Sequence, residues 1–292
     1  MNGLRGRMLR LLAPSNSSKE ILLVYGHHAS IERMAGLAED LNQYGAITMP
    51  DLPGFGGMES FYKLGEKPTL DNLADYLASF IKLRYKRRRI TIMAMSFGFA
   101  VTTRMLQKHP SIAKKVDLLV SIVGFARHDD FVFSKKNHYL LRYSASFFSS
   151  WLPALFAKHV ALRGPFIRGT YKLVADKHSK LVDADKEEQE RRIQFEIELW
   201  QINDIRTYMD TSITMLKIDL CNKLVSLPVV HVAVQGDRYF NNDYVEQHLR
   251  VIYTEVTVMK SKMPAHAPTV IADAKQAAPF IPKALRVLLK TS

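Results

Sequence analysis

Short apolar runs return at intervals along the chain with helical stretches between them. Ile21-Leu22-Leu23-Val24 and Ile90-Thr91-Ile92-Met93-Ala94 are bounded by turn-forming or charged residues, and so are residues 46–49, 116–123 and 228–234. An exposed antiparallel strand alternates apolar and polar side chains. A run that is apolar at nearly every position needs cover on both faces, which is the situation of strands in a parallel sheet. The segments between the runs carry helical periodicity over residues 31–44, 69–85 and 98–109, with Thr69 or Asp71 as a cap and Pro110 as a stop. Strand and helix in alternation with short connections require right-handed crossovers. The predicted architecture is therefore α/β: three layers around a mostly parallel central sheet.

Before the first buried run, residues 7–13 read as a strand joined to residues 20–25 through Pro14-Ser15-Asn16-Ser17-Ser18. After residue 125 the alternation stops for about a hundred residues, which are helical in pattern and rich in aromatics. Within them, residues 184–215 read as one or two amphipathic helices. Strand logic resumes at residue 226, with a helix over 242–251, a strand over 255–259 and a last helix over 274–289. The expected division is a core of residues 1–125 and 226–292 and a helical insertion of residues 126–225. A chain of 292 residues, 47% hydrophobic, is long enough to hold both.

Charge narrows the partners. The chain has 41 basic and 28 acidic side chains, a net +13, which favours anionic surfaces. The tightest basic run, Arg84, Lys86, Arg87, Arg88 and Arg89, follows a helix, where cations complement the helix dipole. No zinc-ligand spacing, no aromatic signature of RNA-binding sheets and no internal repeat is present, so nucleic acid is not an expected partner. One cysteine, Cys221, cannot build an internal disulfide. The first twelve residues are interrupted by Arg5, Arg7 and Arg10 and lack the apolar core of an export signal. No run reaches the length needed to span a bilayer. These features point to the cytoplasm, with a membrane surface as the other expected location.

The chemistry concentrates where the strand Ile90-Thr91-Ile92-Met93-Ala94-Met95 meets Ser96-Phe97-Gly98-Phe99-Ala100. A serine between a buried strand and a helix, with small residues two before and two after it, resembles a nucleophile elbow. Here alanine replaces the usual first glycine. The alternative for Ser96 is an ordinary helix cap. Three further motifs fall in the order of the α/β-hydrolase family, which the chain resembles over residues 20–125 and 226–290. The resemblance implies Ser96 as nucleophile and His266, in Lys262-Met263-Pro264-Ala265-His266-Ala267-Pro268, as general base. It implies an acid after the strand ending at Gln235, where Asp237 stands. Asp243, six residues on, is an alternative, and so is Asp129 or Asp130, after the preceding strand. The acid orients the imidazole and stabilises the imidazolium.

Tyr25-Gly26-His27-His28 resembles the His-Gly-x motif that supplies an oxyanion-hole amide in the family, with tyrosine in place of the histidine. The backbone amides of His27 and Phe97 are the expected oxyanion donors. No carboxylate lies at ligand spacing from His27 and His28, so no metal is expected, and the triad chemistry needs no cofactor. Asp51-Leu52-Pro53-Gly54-Phe55-Gly56 matches a family loop near the active site and lacks the lysine of a phosphate-binding loop. Serine at the elbow argues against the aspartate-dependent dehalogenases and epoxide hydrolases.

The insertion corresponds in place to the family's helical cap. Residues 126–180 hold ten basic and three acidic side chains together with many aromatics. The stretch Tyr143 to Phe156 is expected to be ordinary core of the cap, to pack over the active site as an apolar acyl pocket, or to touch anionic lipid. The expected function is hydrolysis of a small-molecule apolar carboxylic ester through an acyl-enzyme on Ser96. The alternative is a non-catalytic relative that binds a ligand, a membrane or a partner through the basic aromatic insertion.

Overall fold

The structure, a computed structural model, describes residues 3–174, 185–235, 237–262 and 273–291 of the 292. The apolar runs are strands: β1 (Met8–Leu11), β2 (Glu20–Val24), β3 (Ala46–Pro50), β4 (Ile90–Met95), β5 (Val116–Ile122), β6 (Val225–Val234) and β7 (Tyr253–Ser261). They form one sheet in the order β1-β3-β2-β4-β5-β6-β7. β1 runs antiparallel to β3 and the other pairings are parallel. Every residue of β2, β3 and β4 is buried, as continuous apolarity requires. A fully covered side chain such as Leu22, Ile47 or Ile92 contributes about 2 to 3 kcal/mol relative to exposure.

Helices α1 (Ile31–Asn42), α2 (Leu70–Arg84) and α3 (Phe97–Lys108) supply the crossovers. Ser30 caps α1 by accepting from the Arg33 amide, and Thr69 caps α2 by accepting from Asn72. The basic run after α2 is anchored on carboxylates, Arg88 on Glu20 and Arg89 on Asp117.

Between β5 and β6 lie α4 (Lys135–Phe148), α5 (Trp151–Phe156), α6 (Gly164–Val174), α7 (Lys186–Ile202) and α8 (Ile205–Met215). The pattern over residues 184–215 resolves into two helices because Asn203 leaves helical geometry and the Asp204 side chain accepts from the Thr207 amide at 2.7 Å, starting α8 afresh. After β6 come α9 (Asn242–Ile252), α10 (Ala274–Ala277) and α11 (Lys283–Thr291). The single helix expected over 274–289 is thus two, with a 3-10 turn between. Pro279 and Pro282 lack the amide hydrogen that a continuous helix would use.

Only part of the stretch Tyr143 to Phe156 turns inward: Ala145 and Ala154 are buried and Phe148 is half-buried against Ala154, Ala157 and Ile205, whereas Tyr143, Phe147, Trp151, Leu152, Leu155 and Phe156 are exposed and do not form an apolar pocket over the core.

Parallel register brings the carboxyl ends of neighbouring strands level. Val24 pairs with Ala94, Ala94 with Ser121, Ile122 with Val232 and Val234 with Ser261. The loops that leave β2, β4, β5, β6 and β7 therefore share one edge of the sheet.

Candidate active site

Among the described residues, three other than glycine have positive φ, namely His28 (52°), Ser96 (48°) and Val123 (45°). They follow β2, β4 and β5, three neighbouring strands, at that shared edge. Such backbone costs of order 1 to 3 kcal/mol per residue, and for a β-branched valine the geometry is a genuine outlier. The surrounding structure holds it in place.

Ser96 sits at φ 48°, ψ −121° between β4 and α3, and its side chain makes no capping bond to the helix, so it is not an ordinary cap. Its amide donates to the Ile122 carbonyl at 2.9 Å, tying the turn to β5. The small neighbours are a steric demand. A Cβ on Gly98 would stand 2.2 Å from the Tyr25 carbonyl oxygen and 2.7 Å from that of Val24, both rigid backbone atoms of the β2 end. Ala94 is fully buried. The serine is half-buried at the opening of α3, where the first amides, Phe97 among them, have no acceptor within the helix.

Gly26 presses against the serine from the other side. A Cβ there would lie 3.1 Å from the Ser96 Cβ, so the backbone that leads to the His27 amide runs beside the Ser96 side chain. The His27 ring turns away into the inserted helices. Its Nε2 lies 2.9 Å from Thr211 Oγ1 and 3.2 Å from the Tyr208 carbonyl, and its face packs on Tyr208 at 4.3 Å. Thr211 gives its own hydroxyl hydrogen to the Thr207 carbonyl at 2.6 Å, so Nε2 is the donor. Burial first, and the neighbouring His28 second, push the imidazolium down to about 3, which leaves His27 neutral at any ordinary pH.

Tyr25, the residue that departs from the family motif, has a defined task. Fully buried, it donates its hydroxyl to Asp51 Oδ1 at 2.8 Å and accepts from the Leu52 amide at 3.0 Å. Arg7 closes on the other carboxylate oxygen at 2.6 Å. Burial pushes the Asp51 carboxyl up to about 6, against the pull of Tyr25 and Arg7. Gly56 (φ 60°) lies so close that a Cβ would stand 2.1 Å from Asp51 Oδ1. This loop also carries the insertion. The Gly56 amide donates to Asn203 Oδ1 at 2.8 Å, the Asp204 amide donates to the Gly54 carbonyl at 2.8 Å, and Ser60 meets Thr207 at 2.7 Å.

Beside it is a buried ionic cluster that sequence reasoning missed. Glu196 of α7 is held by Arg33 of α1 at 2.5 Å and lies 3.4 Å from His28 Nε2, with side-chain exposures of 2%, 8% and 12% respectively. Trp200 covers His28 at 4.3 Å. The only advance signal was an apolar helix face interrupted by a carboxylate.

Asp237 leaves β6 at the shared edge, and its Oδ1 accepts from the amides of Tyr239 (2.8 Å) and Phe240 (3.3 Å). Asp243 is exposed in the first turn of α9. Asp130 is fully buried and committed elsewhere: Oδ2 accepts from the amides of Ala126 (2.8 Å) and Arg127 (2.9 Å), and Oδ1 lies 2.6 Å from His248 Nδ1. Asp129 is exposed and pairs with Arg127 at 3.1 Å. Asp129, Asp130 and His248 are close enough to share a cation, but these bonds already account for the Asp130 carboxylate as a lock on its loop. His266 lies outside the described residues, in the segment that follows β7.

A mostly parallel sheet, flanked by helices and bearing a serine in a strained strand-to-helix turn, defines the α/β hydrolase class. A sequence model of the alpha/beta hydrolase fold family matches residues 21–250, and the chain belongs to that family. No curated protein matches the sequence. Among solved structures, the fold is similar to an enol-lactonase from Burkholderia xenovorans, with a TM-score of 0.67 and 12% identity, covering 100% of this chain and 98% of the other. It is also similar to an esterase from Exiguobacterium antarcticum (TM-score 0.65, 13% identity, 91% and 90% covered). A thermophilic esterase from Thermogutta terrifontis gives 0.62 at 18% identity, with 99% and 94% covered. At these identities the likeness is one of fold.

Proposed function

We propose that the chain is a serine hydrolase that cleaves an apolar carboxylic ester. The observation that carries the proposal is the Ser96 turn: a strained φ of 48° in a residue whose side chain makes no capping bond to its helix, at the carboxyl end of a central strand. In this reading Ser96 Oγ attacks the ester carbonyl carbon as His266 takes its proton. His266 then returns that proton to the departing alkoxide, and a water repeats the sequence to free the acid and restore the serine. Asp237 orients the imidazole. The amides of Phe97 and His27 receive the oxyanion, each contributing a few kcal/mol at the transition state. Neutral, fixed His27 and the Gly26 contact with Ser96 support that role, because a donor that need not reorganise stabilises developing charge best. The inserted helices act as the cap, with α7 and α8 fastened beside the nucleophile.

A fluorophosphonate probe and a series of p-nitrophenyl esters of rising chain length test this. The wild type labels and turns over, Ser96→Ala does neither, and His266→Ala loses turnover. The chain-length optimum sizes the acyl site. A folded wild type that neither labels nor hydrolyses any ester of the series refutes the proposal and leaves a binding protein on a hydrolase scaffold.

A further inference from the structure

The inserted helices are arranged in two layers. α7 and α8 face the core through Glu196, Asn203, Thr207 and Thr211. α4 and α5 pack on α8, and α6 packs on α7, so these three helices form the outer layer. Their buried side chains are Ala145, Ala154 and Ile167, with Ala157 just after α5, and Phe148 packs half-buried beside Ala154 and Ala157. Most of their other large apolar side chains point the other way. Leu140, Tyr143, Phe147, Trp151, Leu152 and Phe156 are between 61% and 71% exposed. Single exposed hydrophobes are common on soluble proteins, whereas a concentration of this size on two successive helices, with Phe166 of α6 exposed as well, marks an interaction surface.

The charge of the same segment says what covers it. Residues 131–175 contain seven basic side chains and no acidic one. Lys135, Lys136 and Arg142 stand exposed on α4 among the aromatics. We propose that the outer face of α4–α6 docks on an anionic lipid bilayer, lying in the interface without crossing it. Among the described residues no helix is long and apolar enough to span a membrane. In an interfacial site Tyr and Trp sit at headgroup depth, Leu and Phe reach the acyl boundary, and Lys and Arg meet the lipid phosphates. A second copy of the chain is a poor occupant, because face-to-face pairing brings like-charged patches together with no acid on either side. Nucleic acid is a poor one too, since exposed leucines offer bases neither stacking nor hydrogen bonds.

The test is co-sedimentation of the full chain with vesicles of neutral phosphatidylcholine, alone or with about 30% phosphatidylserine, at about 150 mM salt. The wild type is expected to bind the anionic vesicles at least about tenfold more tightly than the neutral ones, and a vesicle-induced blue shift of tryptophan emission is expected to vanish in Trp151→Phe. Arg142→Gln should weaken binding about fivefold. The combined variant Tyr143→Ser, Trp151→Ser, Phe156→Ser should lose binding while keeping the wild-type circular dichroism and melting temperature, since none of the three supports the interior. Docking makes no use of the nucleophile, so Ser96→Ala binds like the wild type. The inference is overturned if the folded wild type binds neither vesicle, binds both equally, or binds undiminished in the triple variant. It is also overturned if sedimentation shows a dimer that the triple variant dissociates.

Discussion

Replacing Glu196 with alanine tests how the insertion is fastened to the core. Its carboxylate is 2% exposed, and the Arg33 guanidinium that it holds is 8% exposed. Removal leaves that cation buried with the His28 carbonyl, at 2.8 Å, as a remaining partner. Breaking a buried pair from one side costs about 3 to 5 kcal/mol, because the surviving charge keeps its desolvation penalty and loses its attraction. For a chain of this size that corresponds to a fall of about 10 °C in melting temperature. Urea unfolding followed by circular dichroism measures the free energy directly. Arg33→Met with Glu196→Leu, which removes both charges and keeps apolar volume, should recover most of the loss. A cost for Glu196→Ala below about 1 kcal/mol, the value of a solvent-exposed pair, would refute the reasoning, since it would mean that α7 is not seated on α1.

Gly98→Ala should destabilise by about 3 kcal/mol or abolish folding, because the added carbon meets backbone oxygens at 2.2 and 2.7 Å. Gly169→Ala, within α6 and with nothing inside 4 Å, should stabilise by about 1 kcal/mol in the same thermal melt. His231 lies inside the sheet, bonded to Ser121 at 2.9 Å, and burial pushes its pKa down to about 4. The unfolded chain therefore takes up a proton below about pH 6.5 that the folded chain refuses, and stability falls on acidification by about 1.4 kcal/mol per pH unit down to about pH 4. His231→Gln should flatten the stability curve by that slope and leave it unchanged above pH 7. The comparison with wild type cancels His27, which acts in the same sense, and Asp51, which opposes it. If Asp237 completes the triad, Asp237→Asn lowers kcat about 10⁴-fold and Asp243→Asn leaves it near wild type. The reverse result would move the acid to α9.

Much of the candidate site was legible because the Ser96 turn is local. Strand, serine and helix are contiguous, and the need for small residues at 94 and 98 follows from the angle at which one element meets the next. The loop from Asp51 to Gly57 was legible as a loop for the same reason, since Gly54, Gly56 and Gly57 all carry positive φ. Its partners were not. Tyr25 and Asp51 are 26 residues apart, Gly56 and Asn203 are 147 apart, and Arg33 and Glu196 are 163 apart. No local pattern encodes such pairings, because a buried ion pair forms only where two distant surfaces happen to close on each other.

The inserted helices show the same limit from the other side. Tyr139, Leu140, Tyr143 and Phe147 make an apolar stripe on α4 that any periodicity argument would turn inward, yet the helix buries Ala145. By itself the sequence determined the α/β alternation, the parallel sheet, the strained serine and the basic aromatic character of the insertion, because each follows from contiguous residues and their period. The direction in which the stripe faces, the tether of α7 and α8 to the loops after β2 and β3, and the commitment of Asp130 to His248 were decided only by tertiary structure. Hydrophobicity fixes that a surface must be covered, and only the assembled neighbours determine what covers it.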